Sequence, residues 1–450
     1  MAISPARAAA FEVLLKVAGK DAYASELLHS ARFAKLSTAD HGLATEIIMD
    51  TLRWQGLLDG AIARASSQKL ARLDTEVLIA LRIAAYQMLF LSRVPARAAI
   101  FESVELVKAA RKKSAAPFVN AVLRKISAGR SPGVESLDNF AAIRSSGDAA
   151  ALAANASHPE WMVRRWVEQY GVEATRGICG YDQTTPATSI HIYDDRAPAE
   201  LAASGIALSA GELLSSARTV VAGDVTKTAA CREGRAAIQD EASQLVAFLV
   251  GHGKSILDCC AAPGGKTRLI AHRNPQSTII AAELHPHRAR LMRSLVRAPN
   301  IRVVSADARS LPLSRQFDRI LVDAPCSGTG TLARNPEIKW RLKPEDFADL
   351  QARQIAILKS ALAQLAPRGR LVYSTCSLER EENETVVEAV LTHETQFSIG
   401  DCRNELAQLR EAGDLVELDL DSLRSGPYLR TLPGRHICDG FFAAIIERRL

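Results

Sequence analysis

The stretch Asp323-Ala-Pro-Cys-Ser-Gly-Thr-Gly330 decides the reading of this chain. It follows the aliphatic run Ile320-Leu-Val322, a pattern that predicts a buried strand breaking at Pro325 into a loop of small residues, and that loop carries Cys326. Downstream, Arg370-Leu-Val-Tyr-Ser-Thr-Cys-Ser377 has the same form, so Cys376 is also expected near the carboxyl end of a strand. In open α/β sheets, ligands bind at that edge. Upstream, Ser255-Ile-Leu-Asp-Cys-Cys-Ala-Ala-Pro-Gly-Gly-Lys-Thr267 runs from strand to tight turn, and Thr267-Arg-Leu-Ile-Ala-His272 then starts a helix. The paired glycines let a ligand approach the backbone.

Taken in order, the three stretches resemble the motifs of the RNA cytosine-5 methyltransferases of the Nop/Sun family, which use S-adenosylmethionine. The Gly264-Gly265 turn taken alone is compatible with a nucleotide phosphate or with the methionine end of that cofactor, since both profit from exposed backbone N–H groups. A P-loop needs a glycine five positions before its Gly-Lys pair, and Cys260 occupies that place. The three-glycine dinucleotide fingerprint is absent as well.

The resemblance assigns the cofactor to Cys260, Ala261, Ala262, Pro263, Gly264, Gly265 and Lys266, with Asp323 alongside. Glu283 follows the next predicted strand, where a carboxylate accepts hydrogen bonds from both ribose hydroxyls. The family often has Asp there. Asp307, just after the third strand, is placed to accept from the adenine amino group; an isolated acid of this kind is otherwise a helix cap or a solvated loop residue.

Carbon five of cytosine is too weak a nucleophile to take a methyl group directly, and addition of a thiolate to carbon six activates it. In the resembling family the cysteine in the Ser-Thr-Cys-Ser position attacks and the one in the Pro-Cys-Ser-Gly position assists release. That makes Cys376 the expected nucleophile and Cys326 the assisting group, the base or holder of a water that removes the carbon-five proton. Asp323 is expected to hydrogen-bond the cytosine edge, with Lys266 orienting it or the base. The bland alternative for a cysteine is a small buried residue after a strand, and Cys179, Cys231, Cys259, Cys402 and Cys438 receive it, as His158, His285 and His436 receive a structural or surface role.

The 450 residues are 48% hydrophobic and 24% charged, which suits a globular protein of two or three domains. No apolar run approaches the roughly 18 residues of a membrane span, and Glu12 right after Phe11 interrupts any leader-like segment, so a cytoplasmic protein with no membrane partner is expected. The eight cysteines show no C-x-x-C spacing, so no metal site is expected, and free thiols fit a reducing compartment.

The formal charge of +6 is unevenly placed: residues 1–140 hold 19 Lys and Arg against 13 Asp and Glu, with 37 against 37 beyond. A local basic excess fits nucleic acid, and it also fits a solvated helical face. Residues 1–140 are expected to be all α, with apolar periodicity in Ala8–Val17, Ala44–Leu58, Glu76–Leu91, Ala98–Lys108 and Phe118–Ile126. Pro95 and Pro117 begin helices, and Ser131-Pro-Gly133 closes the region. Asp50-Thr-Leu-Arg-Trp54, Tyr86-Gln-Met-Leu-Phe90, Arg93-Val-Pro95 and Phe118-Val-Asn-Ala-Val-Leu-Arg124 resemble the NusB-like RNA-binding domain of bacterial ribosomal methyltransferases. Trp54, Tyr86 and Phe90 equally suit a helical core; Arg111-Lys-Lys113 is the better surface contact.

Residues 134–156 read as a linker, and His158-Pro-Glu-Trp-Met-Val-Arg-Arg-Trp166 opens a helix after it. Residues 150–238, with candidate strands such as Thr188-Ser-Ile-His-Ile-Tyr193, suggest a small α+β subdomain, which in the resembling family helps to hold RNA. Residues 239–450 alternate strand and helix, predicting a doubly wound sheet whose last run, Phe441-Phe-Ala-Ala-Ile-Ile446, follows Pro433-Gly434 too soon for a helical crossover and so pairs antiparallel. The expectation is an α/β protein: a Rossmann-like S-adenosylmethionine-dependent methyltransferase domain preceded by an all-α NusB-like domain and the small subdomain. The expected activity is methylation of cytosine carbon five in RNA, with small-subunit ribosomal RNA as the substrate and a monomeric enzyme. Two other readings stand beside it. An assembly factor that has lost catalysis would not keep Cys326, Cys376, Asp323 and Gly264-Gly265-Lys266 together, and a DNA cytosine methyltransferase, which attacks from a Pro-Cys loop, has no need of Cys376.

Overall fold

The computed structural model describes residues 3–19, 22–28, 30, 33–129, 135–296, 298–392, 394–417 and 419–449. They form two compact units, Met1–Thr185 with Leu332–Leu342, and Pro186–Thr331 with Lys343–Leu450. The stretch 150–238 therefore contributes to both, its helix Glu160–Asp182 to the first and its strands to the second.

The first unit is built from helices, Pro5–Ala18, Thr38–Arg53, Gln55–Ala65, Thr75–Phe90, Ala96–Ala109 and Ala116–Ala128 among them. Thr75–Phe90 is buried on nearly every side, from Val77 to Leu89. A helix that is apolar all round has to be enclosed by others, which makes this one the centre. The helix expected over Ala44–Leu58 is instead two, because the chain turns at Trp54, whose buried indole packs on Phe90 with ring centres 5.2 Å apart. The stretch read as a linker is largely helical too, with Glu135–Ser145 and Ala149–Asn155. Alanine is the best helix former, and Asp148 caps the second helix by accepting from Ala151 N at 2.8 Å. Ser131-Pro-Gly133 lies outside the described residues.

Leu332–Leu342 is locked into this unit by side chains that satisfy backbone carbonyls. The Lys339 ammonium, 1% exposed, donates to Arg53 O at 2.8 Å, Ser157 O at 3.1 Å and Gln183 Oε1 at 3.2 Å. Trp340 Nε1 donates to Leu52 O at 2.7 Å, Arg341 Nη2 to Val17 O at 2.7 Å and Ala22 O at 2.6 Å, and Arg53 Nη2 to Ala333 O at 2.8 Å. Burial pulls the Lys339 pKa below the ordinary lysine value and pushes that of Asp182 above the usual carboxylate range. His158 is buried beside them, its Nε2 3.1 Å from Asp182, and burial followed by the Lys339 charge holds it well below the usual histidine value.

The second unit carries two sheets. The smaller is antiparallel and ordered β2-β3-β1-β4, with β1 Thr188–Ile192, β2 Ala207–Ala210, β3 Ala217–Ala222 and β4 Ala236–Ile238. The larger contains β5 Ser255–Asp258, β6 Thr278–Glu283, β7 Ile301–Ser305, β8 Phe317–Asp323, β9 Leu365–Thr375, β10 Phe397–Gly400, β11 Arg424–Ser425, β12 Tyr428–Arg430 and β13 Phe442–Arg448. Its order is β11-β12-β13-β9-β8-β5-β6-β7, with β10 also on β13. Strands β5 to β9 are parallel and β13 runs antiparallel to β9, so the doubly wound α/β class and the reversed last strand are both present.

Parallel strands covered on both faces should be apolar at successive positions, and these are. Leu321 and Val372 join a core with Phe248, Leu269 and Leu406 on one face, while Ile320, Val322, Leu371 and Tyr373 join Ile357, Leu358 and Val387 on the other. The order reverses beside β5, so the carboxyl ends of β5 and β8 flank the switch point where α/β sheets bind ligands.

Lys339→Met leaves three acceptors without their donor in the helical unit, and we expect a loss of stability on the order of 3 kcal/mol. Urea unfolding followed by circular dichroism checks this; an unchanged midpoint would show that those carbonyls find other donors.

Candidate functional site

Three strand ends assemble the site. In β8 and β9 Asp323 is paired with Ser374, so the two chains leave the sheet side by side on its carboxyl edge. The Ser374 hydroxyl donates to Asp323 Oδ1 at 2.9 Å, and Ala324 N donates to Ser374 O at 2.8 Å. Beyond them Cys326 Sγ and Cys376 Sγ come within 3.4 Å. Gly330 N donates to Cys376 O at 2.9 Å, and Gly440 N donates to Gly330 O at 2.8 Å. A Cβ on Gly330 would lie 2.1 Å from Gly440 O, so only glycine lets these loops close on one another.

Lys266 reaches the same edge from the first turn of the helix Gly265–Arg273, where a cation opposes the helix dipole and needs a compensating partner. Asp323 is that partner: Lys266 Nζ lies 2.8 Å from Asp323 Oδ2, and the ammonium also sits over the Phe441 ring at 4.9 Å. Burial by itself would pull Lys266 down; the Asp323 charge and hydrogen bond, aided by the Cys376 and Asp258 charges, outweigh it and hold Lys266 above the ordinary lysine value.

The two thiols lie within hydrogen-bond reach of each other. Cys326 is pushed well above the usual thiol value, first by its hydrogen bond to Cys376, then by burial and by the charges of Cys376 and Glu382. A proton is therefore favoured on Cys326, and the two sulfurs share a contact in which either can donate.

The turn Cys260–Gly265 begins at the end of β5. Ala261 N donates to Ala282 O at 2.9 Å, which ties the turn to β6. Gly264 has φ 109°, and a Cβ there would meet Val296 Cγ2 at 2.3 Å, so this glycine serves both the left-handed turn and its packing. Burial, followed by the charges of Asp258, Asp323 and Glu283, pushes the Cys260 thiol well up, so it is an inert neighbour of the site. Glu283 closes β6, is 4% exposed, and accepts from His285 N at 2.9 Å with Arg288 at 3.8 Å. Asp307 caps the turn Ala308–Ser310 by accepting from Arg309 N at 2.9 Å, and the Arg309 guanidinium engages both its oxygens at 2.6–3.0 Å.

Cys326, Cys376, Asp323 and Lys266 thus come together, and Asp307 is taken up by Arg309. The other cysteines are free, with Cys179, Cys259, Cys402 and Cys438 buried. His158 and His436 are buried and hydrogen-bonded, and His285 precedes the helix Pro286–Leu295 without a side-chain capping bond.

One further group stands out. Asp258, the last residue of β5, is 1% exposed; Thr267 Oγ1 donates to its Oδ2 at 2.6 Å, whereas Oδ1 is buried without a partner. Burial pushes it up to about 7. Its position in Ile256-Leu-Asp258 matches that of Asp323 after Leu321-Val322, a shared strand-final acid that the sequence reading passed over.

The family model described as 16S rRNA methyltransferase RsmB/F matches residues 248–447, and that of the NusB family matches residues 4–128. The probable ribosomal RNA small subunit methyltransferase B of Bacillus subtilis (strain 168) is 34% identical, with 98% of both chains covered. The ribosomal RNA small subunit methyltransferase B of Vibrio cholerae is 30% identical, with 98% of this chain and 97% of its own covered. The solved structure of PH0851 shares the fold, with a TM-score of 0.79 over 99% of both chains at 21% identity. The chain therefore belongs to the RsmB/F family of S-adenosylmethionine-dependent small-subunit ribosomal RNA methyltransferases, and it carries a NusB domain at its N-terminus.

Proposed function

We propose that this RNA methyltransferase modifies carbon five of a cytosine in small-subunit ribosomal RNA through a covalent adduct to Cys376. The observation that carries the reading is the pair of sulfurs 3.4 Å apart at the carboxyl edge of the sheet.

The residues at the carboxyl edge fit S-adenosylmethionine. The unpartnered Asp258 Oδ1 is an acceptor suited to the ammonium of its methionine end, beside the turn formed by Cys260, Ala261, Ala262, Pro263, Gly264, Gly265 and Lys266. Glu283 is the acceptor for the ribose; Asp307 serves the adenine amino group with an oxygen shared from Arg309. When bound, the cofactor supplies an electrophilic methyl group.

The chain's own residues supply the rest. Asp323, held between Lys266 and Ser374, presents its carboxylate to the cytosine edge and favours a proton on the ring nitrogen, which makes carbon six more electrophilic. The Cys376 thiolate forms a carbon–sulfur bond at carbon six, and the displaced electron pair makes carbon five nucleophilic. Once Cys376 is a thioether, its hydrogen bond and charge no longer act on Cys326, while burial and the Glu382 charge still favour the thiol, so Cys326 first gives up its proton to solvent and then serves as the base. It takes the carbon-five proton, directly or through a water; the electrons of that bond restore the ring double bond as the carbon–sulfur bond breaks and its pair returns to Cys376.

Within the NusB domain we assign the RNA contact to Arg111, Lys112 and Lys113, which lie at the surface, Lys112 pairing with Asp74 at 3.0 Å. Residues 1–140 bind RNA in this reading, residues 150–238 help to hold it, and residues 239–450 transfer the methyl group, in a monomeric cytoplasmic enzyme.

Incubation with ribosomal RNA and radiolabelled cofactor, followed by denaturing electrophoresis, tests the covalent cycle. Cys326→Ala should accumulate a protein–RNA adduct and Cys376→Ala none; the reverse pattern would exchange their roles, and no adduct in either would remove the covalent mechanism.

A charge-removing Arg111→Ala/Lys112→Ala/Lys113→Ala variant should bind RNA more weakly, with a shallower dependence of log affinity on log salt. Filter binding at several salt concentrations measures it, and an unchanged slope would mean that this surface is only solvated.

Asp258 gives a pH test. Its folded pKa, about 7, lies above the unfolded value of about 3.9, so the folded state binds the proton more tightly and this group's stabilising contribution is lost as pH rises from about 4 to about 7. Relative to the parent, Asp258→Asn should gain stability across that window in chemical denaturation, and saturating S-adenosylmethionine should remove the parent's decline by pairing the ionised carboxylate. A parent and variant with parallel pH profiles would refute the assignment.

A further inference from the structure

One residue beyond the reacting sulfur in each loop, the chain converges on one carboxylate. Glu382 is fully buried, and its four contacts reach both cysteine loops. Ser327 N donates to Oε1 at 2.8 Å and Ser327 Oγ to Oε2 at 2.5 Å. Ser377 Oγ also donates to Oε2 at 2.5 Å, and Gln354 Nε2 bridges Oε1, at 2.9 Å, to Pro325 O, at 2.9 Å. Ser327 follows Cys326 and Ser377 follows Cys376, so one side chain holds the residue next to each sulfur.

Glu382 is itself held. Tyr373 OH, from within β9, donates to its backbone carbonyl at 2.6 Å, and the next residue, Asn383, accepts from Thr375 Oγ1 at 2.5 Å and donates to Ser377 O at 2.9 Å. Ionising a fully enclosed carboxylate is costly unless it is well hydrogen-bonded, and a purely structural link between two loops needs no charge. What the charge adds is an effect on Cys326: it is one of the causes that keep the proton on that sulfur.

We propose that Glu382 is a positioning residue for the cysteine pair: it fixes the separation of the two sulfurs by clamping Ser327 and Ser377. The proposal rests on the reading of Cys326 and Cys376 as partners in one cycle. It acts through them and touches neither RNA nor cofactor.

The test uses the full chain without RNA, so its result does not depend on which base is methylated. In a glutathione redox buffer the two thiols and oxidised glutathione exchange to a Cys326–Cys376 disulfide and two reduced glutathiones, and the equilibrium constant reports how closely the sulfurs are held. Peptide mass spectrometry follows it in the parent, in Glu382→Gln and in the Ser327→Ala/Ser377→Ala double variant, with S-adenosylmethionine affinity as the check on folding. We expect the effective concentration of the pair to fall about ten-fold in both variants, and the pH midpoint for iodoacetamide labelling of Cys326 to move down in Glu382→Gln, since loss of a nearby negative charge favours the thiolate. Should Glu382→Gln fail to fold, the double variant, which keeps the carboxylate, carries the test by the disulfide equilibrium. Folded variants with the parent's equilibrium constant overturn the clamp, and an unchanged labelling midpoint overturns the effect of the charge on Cys326. Either failure leaves the adduct experiment on Cys326→Ala and Cys376→Ala free to succeed.

Discussion

Parallel pairing of β8 with β9, in the register that sets Asp323 against Ser374, is the constraint on which the site depends. Because the strands run the same way, both chains leave the sheet on one edge, and the next residues, Ala324-Pro325 in one and Thr375 in the other, carry the two cysteines to 3.4 Å. A slip of one residue would turn Asp323 away from Lys266 and place apolar side chains at the loop. The apolar residues Ile320, Leu321, Val322, Leu371, Val372 and Tyr373, divided between two cores, hold the register against that slip.

The antiparallel β13 completes the edge. Its pairing with β9 delivers Phe441 beneath the Lys266 ammonium and brings Gly440 against Gly330. Charge then distributes along the edge by proximity. Lys266 is held protonated by Asp323, Cys326 is raised by its hydrogen bond to Cys376 and by burial, and Asp258 is pushed up by burial. Perturbed groups gathered at one sheet edge are what a functional site requires.

In the helical unit the organising feature is an insertion of chain from far away in sequence. Lys339, Trp340 and Arg341 donate to carbonyls at the ends of the helices Pro5–Ala18 and Thr38–Arg53, groups that helix geometry leaves unsatisfied. The N-terminal residues alone would expose those carbonyls and the apolar wall around them. This unit is discontinuous because its last hydrogen-bond donors lie in Leu332–Leu342.

Much of this was legible from residues in sequence. Strand-to-loop transitions at Pro325, Ser374 and Gly264 located the edge, apolar periodicity located most helices, and the motif order pointed to the family. The linker expected over residues 134–156 is largely helical because its alanines favour helix, and the break at Trp54 is hidden by apolar periodicity that continues through it. What the sequence determined by itself is the chemistry available: two cysteines, an acid and a lysine in loops that follow buried strands. Tertiary structure decided which of these groups meet, that Asp307 is bound by Arg309, that Asp258 has an unpaired oxygen, and that Glu382 holds both cysteine loops. The reason is physical: local sequence sets backbone conformation over a few residues, whereas hydrogen-bond partners and thiol acidity depend on groups brought together by strand order across 50 or more residues.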